Sequence, residues 1–518
     1  MNEWQETLKD DPEFQALVRA EKDPEFRSRL ISDPASVLGR NRISVSHIKR
    51  FLERWSADPL FRERLKTDPK AAVTEVGLEV DPEELRPLWD PQADRSAELP
   101  LSALRYRAFL QLRVATRNAL FASGIPKDER FADWRRRQIA RSSIQMGPLE
   151  RKEIVHAPAC FELSKGCTVG CWFCGVGALK PGGQLAWIPE NADLLRTALE
   201  AIRDLAGPEA ARLTFLYWAT DPLDNPHYEQ FCEVYAEILG GYPQMTTAQP
   251  LKHLDRVRAI LRTQLRTGDR MQVHRFSVLT LSQWTRLHQE FTPEELTFVE
   301  LVAQNKGAVL IKANSGKYRE QARRDPTLVN QEQAKVRELV EVQNAVSAAV
   351  KSEALSQLQP TTIACVSGFL FNLVERSIKL ISPCPASDRW PLGYIVFEEA
   401  RFADAAELKT RVDDLIARHM RPGLPERRAV AFLGDLQYET LPDGFQLRGR
   451  SGAVKWRNEA LGRYLQDLGE LCREGRNTAE VISRVLEGRH PVPGATTAET
   501  LNSLYRLGVL DEGGGAAA

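Results

Sequence analysis

The sequence predicts a mixed α/β chain: a partial barrel of parallel βα units flanked by an N-terminal helical region and a small C-terminal α+β module. Three observations predict it. From about residue 155, short apolar strand-like runs alternate with amphipathic helical stretches, the pattern of βα units. The first hundred or so residues instead repeat a helix-start signature, with no strand between the copies. The last ninety or so carry short strand patterns first and helical patterns after them.

Composition sets the outer bounds. A chain of 518 residues suggests about three domains. With 43% apolar and 27% charged residues it has the profile of a soluble globular protein. No run approaches the ~18 apolar residues of a membrane span, and MNEWQETLKDDPEF at the start is too acidic and polar for a signal peptide. Lys plus Arg equals Asp plus Glu, 70 each, so no global basic field points to nucleic acid. Eight scattered cysteines argue against a disulfide scaffold. Neither nucleic acid nor membrane is expected as a partner, and a reducing cytoplasm is the expected compartment.

Residues 1–100 read as a helical repeat domain. DPEFRSRLISDPASVL at 23–38 matches DPLFRERLKTDPKAAV at 58–73, and a third copy, DPEFQALV, starts at Asp11. Each unit places Asp at the N-cap and Pro at the first helical position, with Phe26, Leu30 and Phe61, Leu65 at helical spacing. The repeat reads as a helical bundle; it also resembles the helical leaders of nitrogenase-associated type that precede some ribosomally made, modified peptides. Residues 101–150 read as a helical linker. Its basic stretch DWRRRQIARSS fits a solvated or packing helix, or contact with a peptide.

Residues 151–425 hold the βα units. Strands are expected at Cys160–Leu163, Leu213–Trp218, Gln244–Gln249, His274–Leu279, Ala308–Ala313 and Ile378–Ile381, with helices including 192–206 and 333–352. Directly after the first strand comes FELSKGCTVGCWFCGVG, with Cys167, Cys171 and Cys174 spaced C-x3-C-x2-C. Thiolates this close bind soft metal or an iron–sulfur cluster. A zinc site would need a fourth ligand, for which Cys160 and His156 are nearest. Three cysteines hold three irons of a cubane and leave the fourth iron open.

That loop, with the Trp172–Phe173 pair before its last cysteine, resembles the radical S-adenosylmethionine (radical SAM) superfamily. The resemblance implies a partial (βα)6 barrel, a 4Fe–4S cluster on Cys167, Cys171 and Cys174, and SAM on the open iron, reductively cleaved to a 5′-deoxyadenosyl radical. It also implies an electron donor such as flavodoxin or ferredoxin. Chemistry in parallel barrels sits at the C-terminal ends of the strands. YWATDPLDNP after the second strand stands where the family has its Gly-Gly-Glu motif, which gives Thr220 and Asp221 the SAM ammonium; DPLDNP is also a good turn on its own. Ser277 takes the place of a ribose-binding residue. Phe173, Thr247, Gln249, Lys312 and Asn314 complete the expected cofactor or substrate contacts.

Two further thiols bear on what the radical does. Cys384 lies between Pro383 and Pro385, a stiff loop expected at the barrel mouth. Cys365 precedes an expected helix and reads equally well as inert core. A thiol returns a hydrogen atom readily to a carbon radical. One free Cys opposite SAM would therefore invert a peptide Cα, with Cys384 the preferred donor and Cys365 the alternative. After Cys174 only Cys232, Cys365, Cys384 and Cys472 remain, far apart. The auxiliary clusters of thioether-crosslinking enzymes have no local motif here. With SPCPASDRWPLGY, the chain resembles the radical SAM peptide epimerases of proteusin-type biosynthesis. The resemblance implies a ribosomal precursor peptide, leader and core, as substrate. Another Cα or Cβ modification such as crosslinking, or a non-catalytic leader-binding redox protein, are the other readings.

Residues 426–512 read as short strands at AVAFLG, YETLPDGFQLRG and AVKWRN, then three helices, with Thr478 and Thr497 as caps and Gly488 and Gly508 as stops. Strands followed by three helices resemble a winged-helix module, which would recognise a peptide by edge-strand addition; DNA binding and a structural role are the other readings. The tail 513–518, GGGAAA, is expected to be disordered.

Overall fold

The computed structural model describes residues 7–90, 92–93, 99–122, 126–147, 150–266, 273–344, 359–425 and 427–513. The expected disorder of 514–518 and the end of the helix expected at 333–352 lie outside them.

The N-terminal repeat folds as its caps dictate. The aspartates at 11, 23, 33, 58 and 68 each cap a helix with Pro at its first position. These helices are α1 (Pro12–Ala20), α2 (Pro24–Ser32), α3 (Pro34–Leu38), α5 (Pro59–Thr67) and α6 (Pro69–Glu75); α4 (Ser44–Ala57) runs between the repeats. Asp11 accepts from Phe14 N at 2.8 Å and Asp23 from Phe26 N at 2.9 Å. Each such cap stabilises its helix by about 1 kcal/mol. Phe26, Leu30, Phe61 and Leu65 meet in one core. Helix α7 (Leu101–Ala122) closes the bundle, with Arg105 paired to the capping Asp11.

Helix α8 (Glu129–Gln145) carries the basic stretch, and it is no solvated face. Arg135, Arg137 and Arg141 are buried. Arg135 donates to His156 O at 2.6 Å, Arg137 pairs with Glu512, and Arg141 donates to Ser382 Oγ and Pro383 O, both at 2.8 Å. The run is a set of buried tethers between the central sheet and the C-terminal module.

The centre is an open arc in two sheets. One orders β7–β6–β5–β1, where β1 is Ala157–Glu162, β5 Val366–Asn372, β6 Ser377–Pro383 and β7 Tyr394–Arg401. The other orders β2 (Thr246–Thr247), β3 (Arg275–Val278) and β4 (Glu300–Ala303), all parallel. Between them the stretch around Phe215 touches β1 through one parallel bridge, Cys160 to Phe215, and reaches β2 through Tyr217 Oη and Thr246 Oγ1, 2.8 Å apart. Helices α9 (Pro189–Ala206) and α10 (Tyr228–Leu239) follow β1 and the bridge; α11 (Gly316–Arg324) follows β4, and α12 (Ala405–His419) follows β7.

Three expected strands differ. Leu213–Trp218 is no strand and makes only the isolated bridge at Phe215. The sixth lies inside β6 but runs antiparallel to β5. Only Leu373–Arg376 join them, a hairpin length, whereas a parallel crossover needs a dozen or more residues. The fifth is not Ala308–Ala313, which is irregular, but Glu300–Ala303. The later stretch is claimed by the N-terminal bundle: Val309 N donates to Ser56 O at 2.9 Å, and Asn305 Nδ2 to Ala57 O at 2.8 Å. Helix α4 runs beside β4, the edge of its sheet, and covers it.

The arc has two faces of different character. Phe161, Phe276, Phe369, Phe371 and Leu380 face the helices, in one core with Trp134, Leu199, Phe231 and Leu415. Phe161 and Phe371 stack with centroids 4.8 Å apart. The other face gathers Cys160, Phe215, Trp218, Leu370, Ile381 and Tyr394, and Val176 of the cysteine loop packs onto it.

The C-terminal module is a meander, β8 (Gln437–Leu441), β9 (Gly444–Gly449) and β10 (Gly452–Arg457), under α13 (Gly462–Glu474), α14 (Ala479–Arg489) and α15 (Gly494–Arg506). AVAFLG makes only isolated bridges to Thr478 and Leu510. Thr478 caps α14 as its sequence suggests. Thr497 lies inside α15, buried and bonded to Tyr464 Oη at 3.1 Å, and Gly488 lies inside α14.

Candidate functional site

The cysteine loop springs from the end of β1. A two-residue antiparallel ladder, Ser164–Gln184 and Lys165–Gly183, closes its base. Gly166 then turns at φ +76°, where a Cβ would lie 2.2 Å from Lys180 O, so only glycine fits. Cys167 N donates to Leu179 O at 3.0 Å and Gly177 N to Cys174 O at 3.0 Å, folding the three cysteines onto one short loop.

The three thiols are half-buried and free. Burial, then the neighbouring Cys174 and Cys167, push Cys171 up to about 11. Burial also raises Cys167, against the N–H groups of Val169 and Gly170 that point at its sulfur. Ala178 N donates to Cys174 Sγ at 3.3 Å. Among the described residues no group of three or more His, Cys, Asp or Glu side chains is placed to hold a metal ion. A single ion would need all its ligands converging on one point. A cubane asks for less convergence, because each thiolate binds a different iron, and it is tuned by N–H donors to sulfur. Three half-buried thiols on one loop, with amide donors at Cys167 and Cys174, fit a cluster better than zinc. His156 is engaged elsewhere, with Ser367 Oγ at 2.8 Å, and burial holds its imidazole down at about 3.

Beside this loop two carboxylates divide the work. Asp221 is 4% exposed. It accepts from Leu223 N at 3.1 Å, Thr247 Oγ1 at 2.9 Å and Ala248 N at 2.7 Å. Burial raises its carboxyl to about 6 against those bonds. It is a bracket between the bridge segment and β2. The ammonium contact expected of Asp221 would have to share a carboxylate whose two oxygens already accept from three protein donors. Thr247 is spent on the same bracket, and Thr220 donates only a long 3.4 Å bond to Asp221 O. The carboxylate that does reach the cysteine loop is Asp224, which accepts from Thr168 N and Gln249 Nε2, both at 2.9 Å. Sequence reasoning passed over it because DPLDNP offers two aspartates three residues apart, and only packing tells them apart.

Gln249 and Ser277 come together. They line a cleft of about 390 Å³ at the ends of β2 and β3, with Val169 of the cysteine loop, Lys252, Gln283 and Arg286. Its place at the C-terminal strand ends follows the rule for parallel sheets. Gln249 is held at both ends of its amide, by Asp224 and by Lys252 Nζ at 2.9 Å.

Lys312, Phe173 and Asn314 lie on the other side of the loop. Lys312 Nζ stands 4.4 Å from the centre of the Phe173 ring. Burial, then Lys335, push its ammonium down to about 8, while Glu332 and Cys171 oppose that. Asn314 N donates to Pro360 O at 2.7 Å, ahead of α11. Phe173 packs edge-on to Trp172, which is exposed and leans on Tyr318.

The two further thiols fall on opposite faces of the sheet. Cys384 is 2% exposed and belongs to the helix-covered core. Burial pushes it up to about 12, with Arg141 opposing. Its N–H donates to Gly393 O at 3.0 Å. The expectation of a thiol presented at the barrel mouth is therefore not met: the two prolines end β6 against α8 rather than lift a loop into the opening. Cys365 packs on the inner face, in the cluster that includes Cys160 and Val176. Burial pushes Cys365 up to about 11, with Arg275 across the arc opposing. It is half-buried, whereas Cys160, Cys232, Cys384 and Cys472 are buried.

An uncharacterized protein of Sinorhizobium fredii, y4wI, is 35% identical over 483 residues, 91% of this chain and 88% of that protein. No family model matches the chain, and no solved structure matches it.

Proposed function

We propose that this chain, which belongs to the family of the uncharacterized Sinorhizobium fredii protein y4wI, is a radical SAM epimerase that converts L- to D-residues in a ribosomal precursor peptide. The observation that carries the reading is the pairing of a C-x3-C-x2-C loop with one half-buried thiol, Cys365, on the sheet face against which that loop packs.

Cys167, Cys171 and Cys174 would hold the cluster, and the cleft with Gln249 and Ser277 would hold SAM. When bound, these groups supply a carbon-centred radical able to take the hydrogen from a peptide Cα. The chain's own residues do the rest. The ladder at Ser164–Gln184 and the tie from Asp224 to Thr168 fix the loop. Burial keeps Cys365 as S–H near neutral pH, the form that has a hydrogen atom to give. Its S–H bond breaks as a new Cα–H bond forms on the face opposite the abstraction, and inversion follows. The thiyl left behind regains an electron from an external donor such as flavodoxin or ferredoxin and a proton from water. Cys365 thus replaces Cys384 as the preferred donor, because the latter faces the helices.

The C-terminal module supports a peptide substrate. β8 and β10 each have one neighbour in the meander, so each leaves an edge that an extended leader could join.

The test is turnover on a ribosomal precursor peptide, in deuterated water. Epimerised residues should carry deuterium at Cα, and peptide mass should otherwise stay constant; a product lighter by two hydrogens would mean crosslinking. Cys365→Ala should keep deoxyadenosine formation and lose D-residues, while Cys384→Ala keeps both. Loss of D-residues in Cys384→Ala alone would return the donor role to Cys384. No deoxyadenosine from the wild type would leave a redox protein.

A further inference from the structure

A buried ammonium stands against the cysteine loop, and among the described residues its Nζ has no carboxylate partner. Lys312 is 6% exposed. Its position is clamped: its N–H donates to Glu332 Oε2 at 2.7 Å, and its carbonyl accepts from Gln359 Nε2 at 3.1 Å. Its Nζ donates to Gln304 O at 3.2 Å and to the Gln304 side-chain carbonyl. Both acceptors are neutral. The nearby Glu332 is already bonded to Lys335 Nζ at 2.7 Å as well as to the Lys312 N–H.

Burying a charge without a counter-charge is costly unless an anion arrives. The direction of the side chain says where that anion would be. Nζ lies 4.4 Å from the ring centre of Phe173, which sits between Cys171 and Cys174. A cluster held there would carry the charge of three thiolates. One added electron makes it one charge more negative, so a fixed cation favours the reduced form over the oxidised one.

We propose that Lys312 is a positioning charge that raises the reduction potential of the cluster held by Cys167, Cys171 and Cys174. This rests on the cluster reading above. It goes further in assigning a residue to the ease of reduction, one of the levers by which a protein tunes such a centre. Gln304 aims the ammonium, and the Phe173 ring lies between it and solvent-exposed Trp172.

The experiment is a potentiometric titration of the full-length, anaerobically reconstituted protein without SAM, read by electron paramagnetic resonance. Lys312→Met should keep the wild-type iron content and shift the reduction equilibrium at least tenfold toward the oxidised form, about 59 mV more negative for one electron. Lys312→Arg should stay within threefold of wild type. Should Lys312→Met hold less iron, Gln304→Leu carries the test, because it keeps the ammonium and removes its side-chain acceptor, leaving only the Gln304 backbone carbonyl; a shift of about threefold in the same direction is expected. An unmoved potential in the variant that loads, or an equal shift in Lys312→Arg, overturns the inference. So does a shift seen only after SAM is added, which would give the ammonium to the SAM carboxylate. A wild type that takes up no cluster overturns the underlying reading, and loaded wild type with an unmoved variant overturns this inference alone.

Discussion

Asp221 shows how much one buried carboxylate can organise. It satisfies two backbone N–H groups and a hydroxyl from two segments that share no ladder. Asp221→Ala leaves those donors buried and unpaired, at a cost of about 1–3 kcal/mol each at most. Urea denaturation of the cluster-free protein should show a loss of about 3 kcal/mol. His274 sets an acid limit on the same sheet. It is 1% exposed and accepts from Met245 N at 3.1 Å, and burial holds its pKa down at about 4 against an ordinary 6.5. The folded state binds fewer protons than the unfolded chain between those values. Stability is therefore full above pH 6.5 and falls as the pH drops toward 4, by about 3 kcal/mol from this group. His274→Gln should flatten that slope by about one proton in denaturation midpoints measured across this range.

At the scale of elements, the cysteine loop and the hairpin after β5 are decided by local backbone demands. Gly166 is held at φ +76° under Lys180 O. Gly166→Ala should cost about 1–3 kcal/mol in local strain and displace Cys167, so that iron uptake falls while far-ultraviolet circular dichroism stays unchanged. Gly368 plays the same part inside β5, where a Cβ would meet Pro158 O at 1.9 Å as the strand crosses β1 closely. Helix α8 shows the opposite economy, with three arginines spent on tethering and one glutamate, Glu512, brought from the far end of the chain.

For the whole molecule, the N-terminal bundle is docked rather than appended. Glu294 accepts from Ile43 N and from His47 Nε2, both at 3.2 Å, and Ser46 and Thr297 hydroxyls meet at 2.6 Å. The bundle thereby shields the β4 edge, a strand that would otherwise offer free backbone groups for pairing. Glu294→Ala should loosen the contact by about 1–3 kcal/mol, seen as faster proteolytic separation of the bundle from the rest. Among the described residues no helix is long and apolar enough to cross a membrane. At the other end, the β9–β10 turn reaches the end of α8 and the segment ahead of β5: Arg450 donates to Gln359 O at 3.2 Å and Ser451 Oγ to Met146 O. The module offered above as a peptide reader thus touches the segment that leads into Cys365.

The sequence by itself determined what is local. Asp-Pro pairs announced five capped helices, because a cap needs only one side chain and the next turn of backbone. C-x3-C-x2-C announced three clustered thiols, because the spacing alone keeps them on one loop. The strand starts near Cys160, Thr246 and Arg275 were legible from apolar runs. Tertiary structure decided what depends on faces and partners. It chose Glu300–Ala303 over Ala308–Ala313, two apolar runs of which only one had a free strand beside it. It gave Asp221 to the scaffold and Asp224 to the loop, though both sit in one turn sequence. It put Cys365 on the inner face and Cys384 on the helix-covered face, since alternate residues face opposite ways and Ile378, Leu380 and Cys384 share one side while Ile381 takes the other, a sidedness that composition does not record. The chemistry proposed here therefore rests on the spacing of three cysteines, and its aim on which side of a sheet a fourth one faces.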